Sequence, residues 1–276
     1  MVGIYAFVHP ETRGAWLNHR PLQPLTDMDA TSREHAILPR ERWGPWATVA
    51  WGAGAALVLI ASQTLSAMAF VTLHRMMFPD APLDAASLGS NGPLLTTAFL
   101  ISTPLVVAYF ALAVRLARVP FGEYMALNWP TWRDILIGIV ALLGVLVVAG
   151  IGATLTGQVT PEFMTETFRT ARDAGVLPLF FFSFAVLAPV QEELFFRGFV
   201  YRGLSPSIGA WPTIILTAAV WSVVHLQYEW FFIGEIFMLG LLFGWLRLKS
   251  GSTILTMLLH GGMNVLALVS SGSMSV

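Results

Sequence analysis

The sequence has few charged residues and no cysteine. Only 11% of its 276 residues are charged, whereas 56% are hydrophobic; soluble domains carry about 25% charged residues. The absence of cysteine excludes disulfides and thiolate metal sites, and the net charge of −1 gives no basic surface of the kind that binds nucleic acid. Together with a mean hydropathy of +0.70, this composition indicates an integral membrane protein.

Seven apolar segments run along the chain, most of them near the length of about 20 residues that crosses a bilayer. They cover approximately residues 45–73, 94–117, 134–156, 178–203, 210–227, 230–248 and 252–270. The pattern predicts an all-α fold, a polytopic transmembrane helix bundle with about seven spans. The polar tail at residues 1–43 has no apolar run of the kind found in a cleaved signal peptide.

The distribution of positive charges predicts the orientation. With the N-terminus inside, most of the fifteen Lys and Arg residues fall in the tail and in the loops on the same side, as the positive-inside rule expects. Arginine provides all but one of them, a bias that suggests a GC-rich bacterial genome. We therefore expect a bacterial inner or plasma membrane, with the N-terminus cytoplasmic and the C-terminus outside.

Two connecting stretches resemble amphipathic helices that lie at the membrane surface. Thr160-Pro161 resembles an N-cap followed by proline at the first helical position, which predicts a short helix to about Ala174. The second stretch, 121–132, is aromatic and amphipathic. The sequence therefore predicts one or two interfacial helices beside the spans.

Two adjacent glutamates lie in the fourth apolar segment, where an acidic side chain costs roughly 2.5–3.5 kcal/mol. Glu193 and Arg197 are four residues apart and share a helical face, whereas Glu192 points about 100° away. We expect Glu193 to pair with Arg197 and Glu192 to face a cavity and its water. Pro189 would remove a helical hydrogen bond nearby and open the backbone. A structural charge cluster that bridges helices is the alternative.

Two of the six histidines, His225 and His260, fall within apolar segments. Asn264 is four residues after His260 and shares its face, and Gly261-Gly262 would allow another backbone to come close. Carboxylate, imidazole and carboxamide are the groups that water-activated hydrolysis needs. Helix–helix hydrogen bonding is the alternative role for each histidine.

The sixth segment contains a further acidic residue, Glu235, and the sequence Gly240-Leu-Leu-Phe-Gly244. The Gly-x-x-x-Gly spacing indicates a closely packed helix. Glu235 could support the site or line a cavity, and the sequence leaves its role open.

Three motifs, in this order, resemble those of the CAAX prenyl protease type II family and its bacterial relatives, the CPBP or Abi intramembrane proteases. They are Glu192-Glu193-Leu-Phe-Phe-Arg197, Trp221-Ser-Val-Val-His225 and His260-Gly-Gly-Met-Asn264. The family usually has Phe at the position of Trp221, a departure that should preserve packing. The resemblance covers roughly residues 178–270.

The resemblance implies a helical membrane protease with a cavity inside the bilayer. It implies that Glu192 is the general base, that His225 helps it to hold the nucleophilic water, and that His260 and Asn264 stabilise the oxyanion. Glu193 and Arg197 would support the site. We accordingly divide the chain into a tail (1–43), N-terminal membrane helices with an interfacial helix (44–177), a catalytic core of four spans (178–270) and a C-terminal tail (271–276).

The sequence is compatible with a zinc-dependent and with a metal-free mechanism. Glu192, His225 and His260 could provide three ligands for Zn, as in catalytic zinc sites, which would make the protein a metalloprotease. The chain lacks the His-Glu-x-x-His signature, and a metal-free glutamate mechanism fits the same residues. We favour the metal-free mechanism.

The sequence thus predicts an intramembrane endopeptidase whose partners are the lipid bilayer and a membrane-associated peptide or protein, with or without a prenyl group. One alternative is a non-catalytic membrane partner or immunity-type protein that keeps the motifs for structure. Another alternative is a proton-coupled transporter, since membrane Glu and His also form proton relays. Transporters built from two similar halves would be expected to repeat the motif, and the sequence has no second copy of the Glu-Glu motif. The oligomeric state is not predicted.

Overall fold

The apolar segments form long helices in the computed structural model, which describes residues 43–80 and 85–274. Regular structure within these residues is entirely helical. The helices are α1 (Pro45–Met77), α2 (Gly92–Ala117), α3 (Phe121–Tyr124), α4 (Trp132–Thr156), α5 (Glu162–Asp173), α6 (Leu177–Ile208), α7 (Ala210–Val223), α8 (Trp230–Ser250) and α9 (Thr253–Met274), with a 3₁₀ turn at Ala85–Ser90. The all-α prediction is confirmed, whereas the predicted tail at 1–43 lies almost wholly outside the described residues.

Six of these helices are long and apolar enough to cross a membrane, namely α1, α2, α4, α6, α8 and α9. The fifth predicted segment, 210–227, becomes the shorter helix α7, which has 14 residues and spans only about 21 Å of a ~30 Å hydrocarbon core. The prediction that His225 lies within a span was wrong, because α7 ends at Val223 and His225 lies in the turn that follows. That turn returns the chain from α7 to α8.

The short helix predicted after Thr160-Pro161 is present as α5 (Glu162–Asp173). Its N-cap is Pro161 rather than Thr160, because Pro161 itself has an extended backbone (ψ 135°) and helical geometry begins one residue later. Phe168 is buried on this helix, and Thr170 accepts a hydrogen bond from the backbone N–H of Gly92 at the start of α2. The second predicted stretch, 121–132, is helical only at α3 and at Trp132, where α4 begins, so of the two predicted amphipathic helices only α5 has several turns.

Helix α6 lies at the centre of the bundle and contacts α1, α2, α7, α8 and α9. Two π-helical segments, Ser183–Leu187 and Leu194–Val200, interrupt its α-helical pattern on either side of the two glutamates. Each π segment changes the register of the backbone hydrogen bonds, and such segments are frequent at functional sites.

The Gly-x-x-x-Gly spacing in α8 packs against α7, as predicted. A Cβ atom added to Gly240 would collide with Ala218 and press on Trp221, and one added to Gly244 would collide with Ile214. The two helices therefore approach so closely that only hydrogen fits at these positions, which places the end of α7 firmly against the core.

Candidate active site

A cavity of about 950 Å³ lies inside the bundle. Most of its lining is apolar, but Glu192, His225, His260 and Asn264 all contribute to its wall. The turn after α7 and the loop after α4 also line it, and Gly152 near the end of α4 faces the ring of Phe231 at the start of α8. The cavity therefore extends from the four polar side chains to the loops at one end of the bundle.

Glu192 is half-buried in the cavity wall and is held by a tryptophan. The indole Nε1 of Trp221 donates a hydrogen bond to Oε2 of Glu192 at 2.6 Å, and a hydrogen bond to an ionised carboxylate is stronger than one between neutral groups. The expectation that Trp221 would preserve packing was therefore incomplete, because its indole also supplies a donor that a phenylalanine lacks.

His225 is oriented by the end of α7. Its Nδ1 lies 2.7 Å from the carbonyl oxygen of Trp221, and a carbonyl can only accept, so Nδ1 carries the proton of this hydrogen bond. Nε2 is then the ring nitrogen that remains for another partner. The ring also stacks on that of Tyr228, with centroids 6.2 Å apart.

Glu193 does not line the cavity but is fully buried behind it. Its Oε1 accepts from Nη1 of Arg197 at 3.0 Å and from Nδ1 of His260 at 3.0 Å. The pairing with Arg197 is present as predicted, whereas the contact with His260 was not predicted, because nothing in the sequence places α6 beside α9. Through this contact a buried carboxylate orients one of the cavity-lining histidines.

Arg197 is enclosed by aromatic rings and backbone. Its guanidinium lies 4.8 Å from the Trp221 ring centroid and 5.6 Å from that of Phe243, distances at which cation–π attraction operates. Its Nη2 donates to the carbonyl of Gly240 at 3.1 Å. This arginine thus ties α6 to α8 while it neutralises Glu193.

Asn264 is oriented by a π segment of α6. Its Nδ2 donates to the carbonyl of Phe184 at 2.8 Å. In this segment the N–H of Ala188 bonds five residues back, to Ser183, so the matching partner of Phe184 would be residue 189. That residue is Pro189, which has no N–H, and the carbonyl is left for the asparagine. The carbonyl of Phe184, which Pro189 leaves without a backbone donor, therefore orients Asn264.

Gly261 allows this contact to form. A Cβ atom at this position would collide with the backbone carbonyl of Ala185, whereas Gly262 has open space around it. Of the two glycines that the sequence marks as sites of close approach, only the first brings α9 against α6.

Glu192, His225 and His260, which the sequence offers as ligands for Zn beside the favoured metal-free mechanism, are not grouped as a metal site in this structure. Across residues 43–80 and 85–274, no group of three or more His, Asp or Glu side chains is arranged so that it could hold a metal ion. Nδ1 of each histidine is engaged by other protein groups, and one oxygen of Glu192 is engaged by Trp221. Nε2 of each histidine and Oε1 of Glu192 are the atoms left for another partner, and histidines that bind a metal also donate their other ring N–H to a carbonyl or carboxylate.

Glu235 and Tyr228 also line the cavity. Glu235 lines it from α8, which is one of the two positions that the sequence allowed. Tyr228 was missed: its hydroxyl donates to Sδ of Met164 at 3.1 Å. Burial raises the pKa of this hydroxyl, and the carboxylates of Glu192 and Glu229 raise it further, so it remains a donor at neutral pH. No spacing signal in the sequence could have identified it.

Comparison with known families covers this part of the molecule. Residues 174–266, which run from the start of α6 through most of α9, match the family model described as type II CAAX prenyl endopeptidase Rce1-like. This part of the chain is therefore similar to that family. The matched region contains Glu192, His225, His260 and Asn264, together with Glu193, Arg197 and Trp221.

A protein from Escherichia coli, described as an uncharacterized 24.3 kDa protein, is 28% identical to the chain over 131 residues. The similarity covers 45% of this chain and 60% of that relative, which is less than two thirds of its length. No solved structure matches the chain.

Proposed function

We propose that this Rce1-like protein is an intramembrane endopeptidase that hydrolyses a peptide bond of a membrane-associated peptide or protein. The main observation is that one apolar cavity is lined by a carboxylate, two imidazoles and a carboxamide, each held by a separate protein contact. Preorganised polar groups in a water-poor cavity are what such a reaction needs.

Water would be activated between Glu192 and His225. Oε2 of Glu192 is engaged by Trp221, so Oε1 is the oxygen that can accept a proton from water. Nε2 of His225 can accept the second water hydrogen, since Nδ1 holds the proton. A water bound by both hydrogens presents its lone pair to a substrate carbonyl, and Glu192 takes the proton as the water oxygen attacks.

His260 and Asn264 would stabilise the charge that develops on the carbonyl oxygen. Asn264 uses one N–H for Phe184 and has a second N–H to donate. His260 can donate from Nε2 as an imidazolium, with the Glu193 carboxylate at its Nδ1 balancing the charge. Each such donor contributes about 3–4 kcal/mol to transition-state stabilisation in acyl-transfer enzymes.

The tetrahedral intermediate would then collapse with cleavage of the carbon–nitrogen bond. The proton that Glu192 took from water passes to the departing amine, and the products are a carboxylic acid and a free amine. Every proton is supplied by water, and every transfer uses a protein group, so this mechanism does not require a metal ion.

The substrate would enter from the end of the bundle at which the cavity meets the loops after α4 and α7. An N-terminus in the cytoplasm would place this end on the far side of a bacterial inner membrane. We expect a peptide with a membrane-embedded or lipid-modified portion, because most of the cavity lining is apolar. A prenylated peptide is one such substrate, and an unmodified hydrophobic peptide is another.

The test is cleavage of quenched-fluorescent peptides, with and without a prenyl group, by purified protein in nanodiscs. We expect Glu192→Gln to lower kcat by about 10²–10⁴-fold, the usual contribution of a general base. Glu235→Gln is the matched control, because it removes another carboxylate of the cavity wall that has no assigned part in the chemistry. A chelator should leave turnover unchanged, and strong inhibition would favour the Zn mechanism instead.

Three results would overturn the proposal. Equal cleavage by the wild-type protein and by Glu192→Gln would show that Glu192 is not the general base. The observed activity would then belong to a contaminant or to another group. A broad panel on which the wild-type protein is inert would favour a non-catalytic role for the motifs. Proton flux in proteoliposomes that disappears in Glu192→Gln would favour a transporter.

A further inference from the structure

Trp221 is the residue around which the cavity wall is organised. Only 2% of its surface is exposed, yet two of its polar groups hold two different site residues. Its indole Nε1 donates to Glu192, and its backbone carbonyl accepts from His225. One residue at the end of α7 therefore contacts both groups that would bind the water.

The indole ring has little freedom to move. The guanidinium of Arg197 lies 4.8 Å from its centroid, and the ring of His260 meets it at 77° with centroids 5.3 Å apart. On the side of α8, Gly240 is packed so closely that an added Cβ would come within 3.2 Å of the indole. The donor is thus held by packing on several sides, and its position is set before substrate arrives.

We propose that Trp221 is a positioning residue that holds Oε2 of Glu192 and thereby leaves Oε1 to accept the proton of the water. The kinetic part of this inference rests on the proposed endopeptidase function, whereas the hydrogen bond itself can be tested without turnover. Without the indole N–H, the carboxylate could rotate about its terminal side-chain bonds and either oxygen could turn away from the water.

The two contacts of Trp221 can be separated by mutation, because one is made by the side chain and the other by the backbone. Trp221→Phe removes the donor to Glu192 and leaves the carbonyl that orients His225. Replacement of Trp221 by β-(3-benzothienyl)alanine, in which sulfur replaces the indole N–H, keeps the shape of the ring as well. If packing alone caused a loss of activity in Trp221→Phe, this analogue would keep the wild-type activity.

The first measurement is the indole N–H resonance of Trp221 in protein labelled with ¹⁵N-tryptophan and reconstituted in nanodiscs. The chain has ten tryptophans, and the signal that disappears in Trp221→Phe assigns this one. We expect it downfield of ordinary indole signals, and we expect it to move upfield in Glu192→Gln, because a neutral amide is a weaker acceptor than a carboxylate. An unchanged resonance in Glu192→Gln would overturn the proposal.

The second measurement is the kinetics of peptide cleavage. We expect kcat to fall about 10- to 100-fold in Trp221→Phe, as when a catalytic group is misplaced, with KM nearly unchanged. The benzothienyl variant should show the same loss. The control is Trp43→Phe, which removes an indole N–H that donates to the carbonyl of Ala113 at 3.3 Å, away from the cavity, and which should keep the wild-type kcat.

The outcomes separate this proposal from the proposed function. If Glu192→Gln is inactive while the Trp221 variants turn over like the wild type, the positioning role is overturned and the endopeptidase function stands. Wild-type turnover in the benzothienyl variant alone would show that Trp221 acts only through its shape. If no peptide is cleaved, the endopeptidase function weakens, and the resonance alone decides whether Trp221 holds Glu192.

Discussion

Helices α5 and α6 each carry an Arg four residues from an acidic residue, in opposite surroundings. On α5, Arg169 bonds Glu166 at 2.6 Å and Asp173 at 2.9 Å, with between 32% and 48% of each side chain exposed. On α6, Arg197 bonds Glu193 at 3.0 Å with at most 1% of either side chain exposed. The geometry is similar, and the exposure to solvent differs.

The difference in exposure decides what each cluster does. Exposed ion pairs are screened by water and ions and contribute little to stability. A buried pair leaves a costly uncompensated charge if one partner is removed, so its members depend on the contacts around them. The α6 cluster has such contacts in His260, the Gly240 carbonyl and the surrounding aromatic rings, and it is next to the candidate site.

The largest effect should come from Arg197→Met. It leaves the Glu193 carboxylate buried without its cation, which we expect to destabilise the protein by about 3–5 kcal/mol. Thermal unfolding in detergent, followed by circular dichroism, measures this loss. Adding Glu193→Gln to Arg197→Met should recover part of it, and a double variant as unstable as the single variant would show that charge pairing is not the cause.

The next effect concerns the oxyanion side of the cavity. Asn264→Ala should lower kcat by about 10²–10³-fold, because a donor to the developing oxyanion is lost, while KM changes little. The comparison variant is Asn91→Ala, which removes the side-chain N-cap of α2 and should cost stability but not kcat. Equal kcat values for Asn264→Ala and the wild type would remove Asn264 from the mechanism.

Substitutions of two adjacent glycines in α9 should have smaller effects on stability, and the two variants form a closely matched pair. Gly261→Ala places a methyl group against the Ala185 carbonyl, whereas Gly262→Ala meets nothing within 4 Å. We expect the first change to cost about 1–3 kcal/mol through overpacking and the second to be neutral or slightly stabilising, since Ala favours a helix more than Gly does. Equal melting temperatures would mean that α9 can move away from α6.

The smallest effect should come from Arg169→Ala on α5. Because Arg169 and its partners are exposed, we expect almost no change in melting temperature at physiological salt. The hydrogen bond from Arg169 lowers the pKa of Glu166 below its ordinary value. Any contribution of this pair to the free energy of unfolding is therefore complete above the ordinary pKa and is lost as the pH falls through the lowered pKa. A loss of stability comparable to that of Arg197→Met would show that exposure to solvent does not distinguish the two clusters.

Much of the site could be predicted because lipid makes polar residues rare and therefore informative. Glu192, His225, His260 and Asn264 stand out in apolar segments, and all four line the same cavity. The spacing of four residues between Glu193 and Arg197 is enough to predict their pairing, because that distance is set by the helix itself.

Other parts of the site depend on contacts between helices and could not be predicted. The apolar composition of 210–227 suggests a full span, yet α7 stops at Val223 and leaves His225 in a turn. The contact of His260 with Glu193 joins residues 67 positions apart, and the indole bond of Trp221 reaches 29 positions back to Glu192. No periodicity along the chain encodes such distances.

The sequence by itself determined the membrane location, the all-helical class and the identity of the polar side chains. These follow from local composition and from the hydrogen-bonding demands of a backbone in lipid. Only the tertiary structure decided which protein groups hold Glu192, each histidine and the asparagine. The physical reason is that π segments, the missing N–H of Pro189 and close glycine packing set the relative positions of α6, α7, α8 and α9.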